Sequence, residues 1–206
     1  MGPFEVNCYL YWDATTGDGV IIDPGAECET ILKTIERCNM TSKGLLLTHG
    51  HGDHIGAVNE VMNRLSVPLY ASVEELPLLS NPAANLSAFL GQAVSTQKPD
   101  HFVADEQLLV LGAIQLRVLS TPGHSPGGVS YLDETEGILF CGDALFQGSI
   151  GRTDLPGCSH ETLIDSIQRK ILALPDSVIC YPGHGPFTTV GAERSSNPFL
   201  VGGYHA

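Results

Sequence analysis

Seven consecutive residues, Thr48-His49-Gly50-His51-Gly52-Asp53-His54, constrain what this chain can become more than any other stretch of it. They follow directly on the apolar run Leu45-Leu46-Leu47 and precede a helical pattern carried by Val58, Val61, Met62 and Leu65. A solvated histidine-rich loop is the plain alternative, and the strand before and helix after weigh against it. His49 and His51 stand two apart and can turn to the same side. Asp53 and His54 are adjacent, so their side chains diverge and can reach a different ion. The intervening glycines let the backbone turn tightly enough for all four to converge. Imidazole and carboxylate without thiolate suit Zn²⁺, Fe or Mn²⁺.

Four ligands do not complete a two-metal site, so the pattern requires further histidine or aspartate in turns. Three places supply them. His124 sits in Thr121-Pro122-Gly123-His124-Ser125-Pro126-Gly127, just after an apolar run ending at Leu119. Asp143 follows the run Ile138 to Cys141, and His184 follows Val178 to Cys180 in Tyr181-Pro182-Gly183-His184-Gly185. Each alone is a weak signal, since a lone histidine after a strand is more often structural; together the four strand ends offer five histidines and two aspartates. The other histidines lack this setting. His160 opens a helix, His101 lies in a polar stretch and His205 is close to the C-terminus, so all three read as surface residues. Cys141 reads as a buried strand residue.

The remaining pattern organises around these strand ends. Strands are expected over Val6 to Trp12, Gly19 to Asp23, Gly44 to Thr48, Gln107 to Leu111, Ile114 to Leu119, Val129 to Leu132, Gly137 to Cys141 and Val178 to Tyr181. Helices are expected over Cys28 to Cys38, Gly56 to Leu65, and from an N-cap at Ser159 with Leu163, Ile164, Ile167, Ile171 and Leu174 as its buried stripe. Strands come in clusters rather than in strict alternation with helices, which predicts mixed sheets under helices, an α+β arrangement in one domain over 1–206. Val73 to Asp105 reads as one short helix plus a connector. A formal net charge of −13, with ten scattered Lys and Arg, disfavours a nucleic-acid partner. No apolar run reaches membrane-spanning length, and Met1 to Val6 lack the pattern of a signal peptide. Six cysteines without a C-x-x-C pair read as free thiols, so the expected location is cytoplasmic.

T-H-x-H-x-D-H, then P-G-H, G-D and P-G-H resembles the metallo-β-lactamase superfamily, and within it the short members of the glyoxalase II (hydroxyacylglutathione hydrolase) branch. The likeness extends through Asn7-Cys8-Tyr9-Leu10, Ile21-Ile22-Asp23-Pro24-Gly25, Gly142 to Asp154 and Glu193 to Pro198. It implies a four-layer αβ/βα sandwich with a two-metal site at one edge, zinc first and iron or manganese as alternatives. His49, His51 and His124 resemble the ligands of one metal, and Asp53, His54 and His184 those of the other. Asp143 resembles a bridging carboxylate, catalytic together with Asp53, and Asp23 resembles a residue that orients a ligand histidine.

The implied reaction is attack of a metal-activated hydroxide on a small thioester, as in glyoxalase II hydrolysis of S-D-lactoylglutathione to D-lactate and glutathione; the leaving thiolate needs little help from an acid. Arg152, in G-R-T-D, is the one cation within the motif region and the candidate contact for an anionic, glutathione-derived substrate. Longer members carry Lys and Tyr there, where Asp154 stands in the tyrosine's place, and continue into a C-terminal helical domain that supplies other glutathione contacts. The resemblance therefore carries the reaction class and leaves the substrate open. Three alternatives follow from the same fold. One is a mononuclear iron persulfide dioxygenase using His49, His124 and Asp143, whose relatives have H-D-Y where this chain has His184-Gly185-Pro186. Another is a non-catalytic metal-binding module. The third, a β-lactamase, is set aside for want of a secretion signal, and nuclease branches conflict with the charge.

Overall fold

The computed structural model describes residues 1–89, 91 and 93–201, so His205 lies outside the described residues. One sheet contains, in order, β1 (Tyr9–Trp12), β2 (Asp18–Ile22), β3 (Thr41–Leu46), β4 (Leu69–Ser72) and β5 (His101–Val103). Only β1 runs antiparallel to its neighbour. The other sheet is built from β6 (Leu108–Leu111), β7 (Ile114–Ser120), β8 (Val129–Asp133) and β9 (Ile138–Gly142) as antiparallel neighbours. A short hairpin, β10 (Leu145–Phe146) and β11 (Ser149–Ile150), leads away from it. β12 (Ile179–Pro182) then returns parallel to β9, and β13 (Thr188–Thr189) closes that edge.

The helices are α1 (Cys28–Arg37), α2 (Gly52–Ile55), α3 (Val58–Leu65), α4 (Leu76–Ser80), α5 (His160–Ser166) and α6 (Val190–Ser196). Strand alternation explains the layers. Val20 and Ile22 face inward with Leu46 against Leu116, Val118, Tyr131 and Phe140 of the second sheet. Ile21, Leu45 and Leu47 point the other way, onto Ile31, Ile35, Val58 and Val61 of α1 and α3. Leu139, Cys141 and Cys180 on the far sheet meet Leu163 of α5 and Val190 of α6. Helix, sheet, sheet and helix thus form the expected αβ/βα sandwich, and strands buried on both faces read as unbroken apolar runs.

Direction places the functional edge. β7, β9 and β12 run the same way across their sheet, and β2 and β3 are parallel across from them. Thr48 beyond the end of β3 accepts the Val129 amide at 2.9 Å, and the Tyr131 hydroxyl donates to the Leu47 carbonyl at 2.8 Å, which ties the two sheets together at this edge.

Several expectations shift. Ser159 caps α5 as read, accepting the Thr162 amide, but the helix passes into a π-turn over Ile167–Ile171. Leu163, Ile167 and Ile171 are buried while Ile164 and Leu174 are only half-buried. The extra residue per turn rotates the later positions away from a regular stripe. The stretch read as a short helix and connector holds a 3₁₀ turn at Val73–Glu75, α4, a second 3₁₀ turn at Ser87–Phe89 and the edge strand β5. β4, β10, β11 and β13 also went unread, being two to four residues long, too short for a period to show. All six cysteines are free, with Cys141 buried, and His101 and His160 are exposed as expected. No helix among the described residues is long and apolar enough to cross a membrane.

Leu116 is fully buried between the sheets. Leu116→Ala is expected to remove about 2–5 kcal/mol of stability, read from the shift in guanidinium unfolding midpoint of the metal-free protein. An unchanged midpoint would contradict the packing of the two sheets described above.

Candidate metal centre

Four strand ends deliver the seven candidate ligands to one place, and a fifth adds Asp23 beside them. The chain leaves β3 into Thr48-His49 and turns into α2 at Gly52, so the motif is half loop and half helical turn. His124 follows β7, Asp143 follows β9, His184 follows β12 and Asp23 follows β2. His49, His51 and His124 bring one nitrogen each to within 4.8 Å of one another, and so do the ligand atoms of Asp53, His54 and His184. A third grouping, Asp23, His49 and His54, also falls within that distance.

Hydrogen bonds on the outward nitrogens determine which atoms face inward. Thr48 Oγ1 donates its one proton to Asp23 Oδ2 at 2.6 Å, so it accepts from His49 Nδ1 at 3.0 Å. That leaves the lone pair of His49 on Nε2, pointing inward. His124 Nδ1 donates to the Arg152 carbonyl at 2.9 Å and His184 Nδ1 to the Phe4 carbonyl at 2.9 Å. His54 Nδ1 faces Asp23 Oδ2 at 3.0 Å. His51 is turned the other way, with Nδ1 inward and 2.9 Å from His124 Nε2. Asp23 thus lies behind His54 and, through Thr48, behind His49; it takes the Thr48 amide as well, at 2.8 Å.

Asp143 stands between the two trios. Its Oδ2 is 3.5 Å from His124 Nε2 and 3.6 Å from His184 Nε2, and its Oδ1 is 3.4 Å from His54 Nε2. Asp53 Oδ2 lies 3.3 Å from His184 Nε2 and 3.9 Å from His54 Nε2. Among the described residues, His49 Nε2, His54 Nε2 and Asp143 Oδ1 are buried without a hydrogen-bond partner. Buried polar atoms are rarely left so, and here they converge on the same volume. An all-nitrogen-and-oxygen donor set aimed into one space fits divalent zinc, iron or manganese.

The charges agree. Burial, then the neighbouring imidazoles, pushes His49 well below the ordinary histidine range, and the same two causes bring His51 down to about 4. Burial also lowers His124. These three are neutral at pH 7, with lone pairs available, as coordination demands. Burial works against a charge on His54, yet Asp143 and Asp23 hold it protonated well above the usual range, and a hydrogen bond to Asp53 raises His184. Burial raises and His54 then lowers Asp143, leaving it below the carboxylate range, and Asp53 is lowered too, chiefly by His184 once burial is overcome. The carboxylates thus draw positive charge into a buried site, which protons supply here and a cation can supply instead.

The glycines act differently from the sequence-based expectation. Neither Gly50 nor Gly52 has positive φ; a Cβ would come within 2.8 Å of Leu78 Cβ at Gly50 and 2.6 Å of Ser87 Cβ at Gly52. They are needed for close packing against α4 and the loop beyond it, not for a tight turn. Gly183 has a more direct role, because a Cβ there would collide with Asp143 Oδ1 and approach His54 Cε1 to 2.6 Å.

Arg152 places its main-chain carbonyl on His124, while its largely exposed guanidinium is paired in bidentate fashion with Asp154 at 2.8 and 2.9 Å. Two residues outside the sequence-based set are also built into the site. Asn7 Nδ2 donates to the carbonyls of Pro182 and Gly185, on either side of His184, at 3.0 and 2.8 Å. Glu75, 1% exposed, reaches two of the ligand loops. Neither carries a spacing signal, since both act on main chain far away in sequence.

The family model for the metallo-beta-lactamase superfamily matches residues 1–184. The hydroxyacylglutathione hydrolase GloC of Haemophilus influenzae is 40% identical over 199 residues, covering 96% of this chain and 93% of that protein. The crystal structure of the BLEG-1 B3 metallo-beta-lactamase superposes with a TM-score of 0.93 at 46% identity, over 98% of this chain and 97% of that one. The crystal structure of TTHA1623 in a di-iron-bound form gives a TM-score of 0.88 at 38% identity, over 97% and 98% of the two chains.

Gly183→Ala is expected to lower the bound metal measured by elemental analysis while leaving the far-ultraviolet circular dichroism unchanged. Full metal content in that variant would show that the space beside Asp143 Oδ1 is not where metal sits.

Proposed function

The chain belongs to the metallo-β-lactamase superfamily, and from that premise we propose that it is a dinuclear metal-dependent hydrolase of small thioesters, glutathione-derived ones foremost. The observation that carries the reading is Asp143, whose two oxygens face histidines of both donor trios. In this reading His49, His51 and His124 would hold one divalent ion, Asp53, His54 and His184 would hold the other, and Asp143 would serve both. Zinc suits the donor set, and the di-iron form of a neighbour supports iron as an alternative. When bound, such a pair supplies a water ionised near neutral pH and a positive centre for a carbonyl oxygen.

The chain's own residues do the rest. Asp23, the Arg152 carbonyl and the Phe4 carbonyl hold His54, His124 and His184 in one orientation, so the inward nitrogens are set before substrate arrives. Asp53, ionised at neutral pH, presents Oδ2 to the same space and can accept a proton there. A thiolate leaving group departs without a dedicated acid, since a thiol has a pKa of about 8.5. Arg152 is the proposed contact for an anionic substrate group, releasing Asp154 as it binds.

The GloC relative, of which this chain covers 93% and which carries the hydrolase name, supports the thioester assignment. A second reading, β-lactam hydrolysis, is favoured by the BLEG-1 likeness. The persulfide dioxygenase alternative uses one iron and three of these side chains; the presence of both complete trios supports the dinuclear hydrolase over it.

The test is a comparison of S-D-lactoylglutathione, glutathione persulfide and β-lactam turnover by the metal-quantified protein. Thioester hydrolysis with about two metals per chain is expected, and Asp143→Ala is expected to abolish it. One iron with oxygen uptake on persulfide, or β-lactam turnover without thioesterase activity, overturns the assignment. Arg152→Ala is expected to raise KM for S-D-lactoylglutathione with little change in kcat, and an unchanged KM removes Arg152 as the anion contact.

A further inference from the structure

Glu75 ends the 3₁₀ turn between β4 and α4, in the stretch that sequence analysis reads as a connector. Its carboxylate is buried at 1% exposure, and each oxygen accepts one main-chain amide. Oε2 takes the Gly50 N–H at 2.7 Å, and Oε1 takes the Gly127 N–H at 2.6 Å. Gly50 lies between His49 and His51, and Gly127 lies three residues beyond His124. One side chain therefore joins the two loops that carry the first trio of imidazoles.

The contacts are selective. The second trio is held by other groups: His54 by Asp23, and His184 by the Phe4 carbonyl and by the Asn7 side chain, which donates to the main chain on either side of it. Glu75 bonds the Gly50 and Gly127 amides instead. The approach is also close enough to dictate a neighbour, since a Cβ on Gly50 would lie 3.0 Å from Glu75 Oε2. Two short bonds from amides to one buried carboxylate need both oxygens as acceptors. A glutamine offers one acceptor and turns a donating amide toward the other N–H, so it cannot serve both loops.

We propose that Glu75 is a positioning residue for the His49–His51–His124 trio, setting the separation of the two loops and thereby the affinity of that trio for its metal. The proposal rests on the two-metal reading given above. Glu75 touches neither metal nor substrate in it; it acts through the main chain of the ligand loops.

The experiment is zinc titration of parent and Glu75→Gln protein against a chromophoric chelator, alongside amide hydrogen exchange of the metal-free parent. The parent is expected to bind two equivalents. Glu75→Gln is expected to weaken one equivalent by about 10–100-fold, the range typical when a group supporting metal ligands is lost, and to leave the other as in the parent. Glu75→Asp, which keeps the charge on a shorter stem, is expected to weaken the same equivalent less. Equal weakening of both equivalents, or no weakening of either, overturns the proposal. If Glu75→Gln does not fold, the parent's amides decide: Gly50 and Gly127 protected from exchange support the brace, and free exchange at both overturns it. A parent that binds fewer than two equivalents refutes the two-metal reading instead, so the two failures are distinct.

Discussion

Crowding like donors into a buried space is the constraint on which the rest of this structure depends. Imidazole nitrogens and carboxylate oxygens that face one another at 3.3–3.9 Å are too far apart to satisfy each other fully, and three inward atoms have no partner. Burying such atoms costs free energy unless an ion completes them. The surrounding protein must therefore hold each ring against rotating toward a better local partner. It does so from behind: Thr48, Arg152, Phe4 and Asp23 each present an oxygen to an outward nitrogen.

A sandwich of two sheets suits that demand. The facing layers bury Val20, Ile22, Leu46, Leu116 and Tyr131 at or near zero exposure, which gives the strand ends a rigid base. Loops leaving that base can be short and still converge. The acceptors behind the histidines come from loops of both sheets, so the orientation of each ring depends on the docking of the layers. The net charge of −13 takes on a local meaning as well, because Asp23, Asp53 and Asp143 concentrate part of it where a cation would reside.

Much of this was legible in the linear chain where the signal is local. The apolar runs into Thr48, Leu119, Cys141 and Cys180 marked the strands, and the donors following them marked the site. Ser159 announced its helix through an N-cap, a property of the four residues Ser159 to Thr162. The boundaries of the short elements were not legible, because β10, β11 and β13 have two residues each and owe their pairing to the sheet around them. Gly50 and Gly52 were legible as unusual but not for the right reason: the reading expected a turn, while the structure uses the absent side chains to admit Leu78 and Ser87.

The sequence by itself determined the kinds of donor, their grouping in the chain and the strand ends that carry them, because these depend on residue identity and short-range pattern. It also determined mixed sheets under helices, through strands that cluster rather than alternate with helices, while the four-layer sandwich was implied by the family resemblance. Only the tertiary structure decided which nitrogen of each histidine faces inward, that the Arg152 guanidinium lies on Asp154, and that Glu75 joins the loops of Gly50 and Gly127. Glu75 is separated from those two residues by 25 and 52 positions. The physical reason is that a hydrogen bond to main chain needs only an amide in the right place, and any residue type except proline offers one. No pattern of side chains along the chain can report which distant amide that will be.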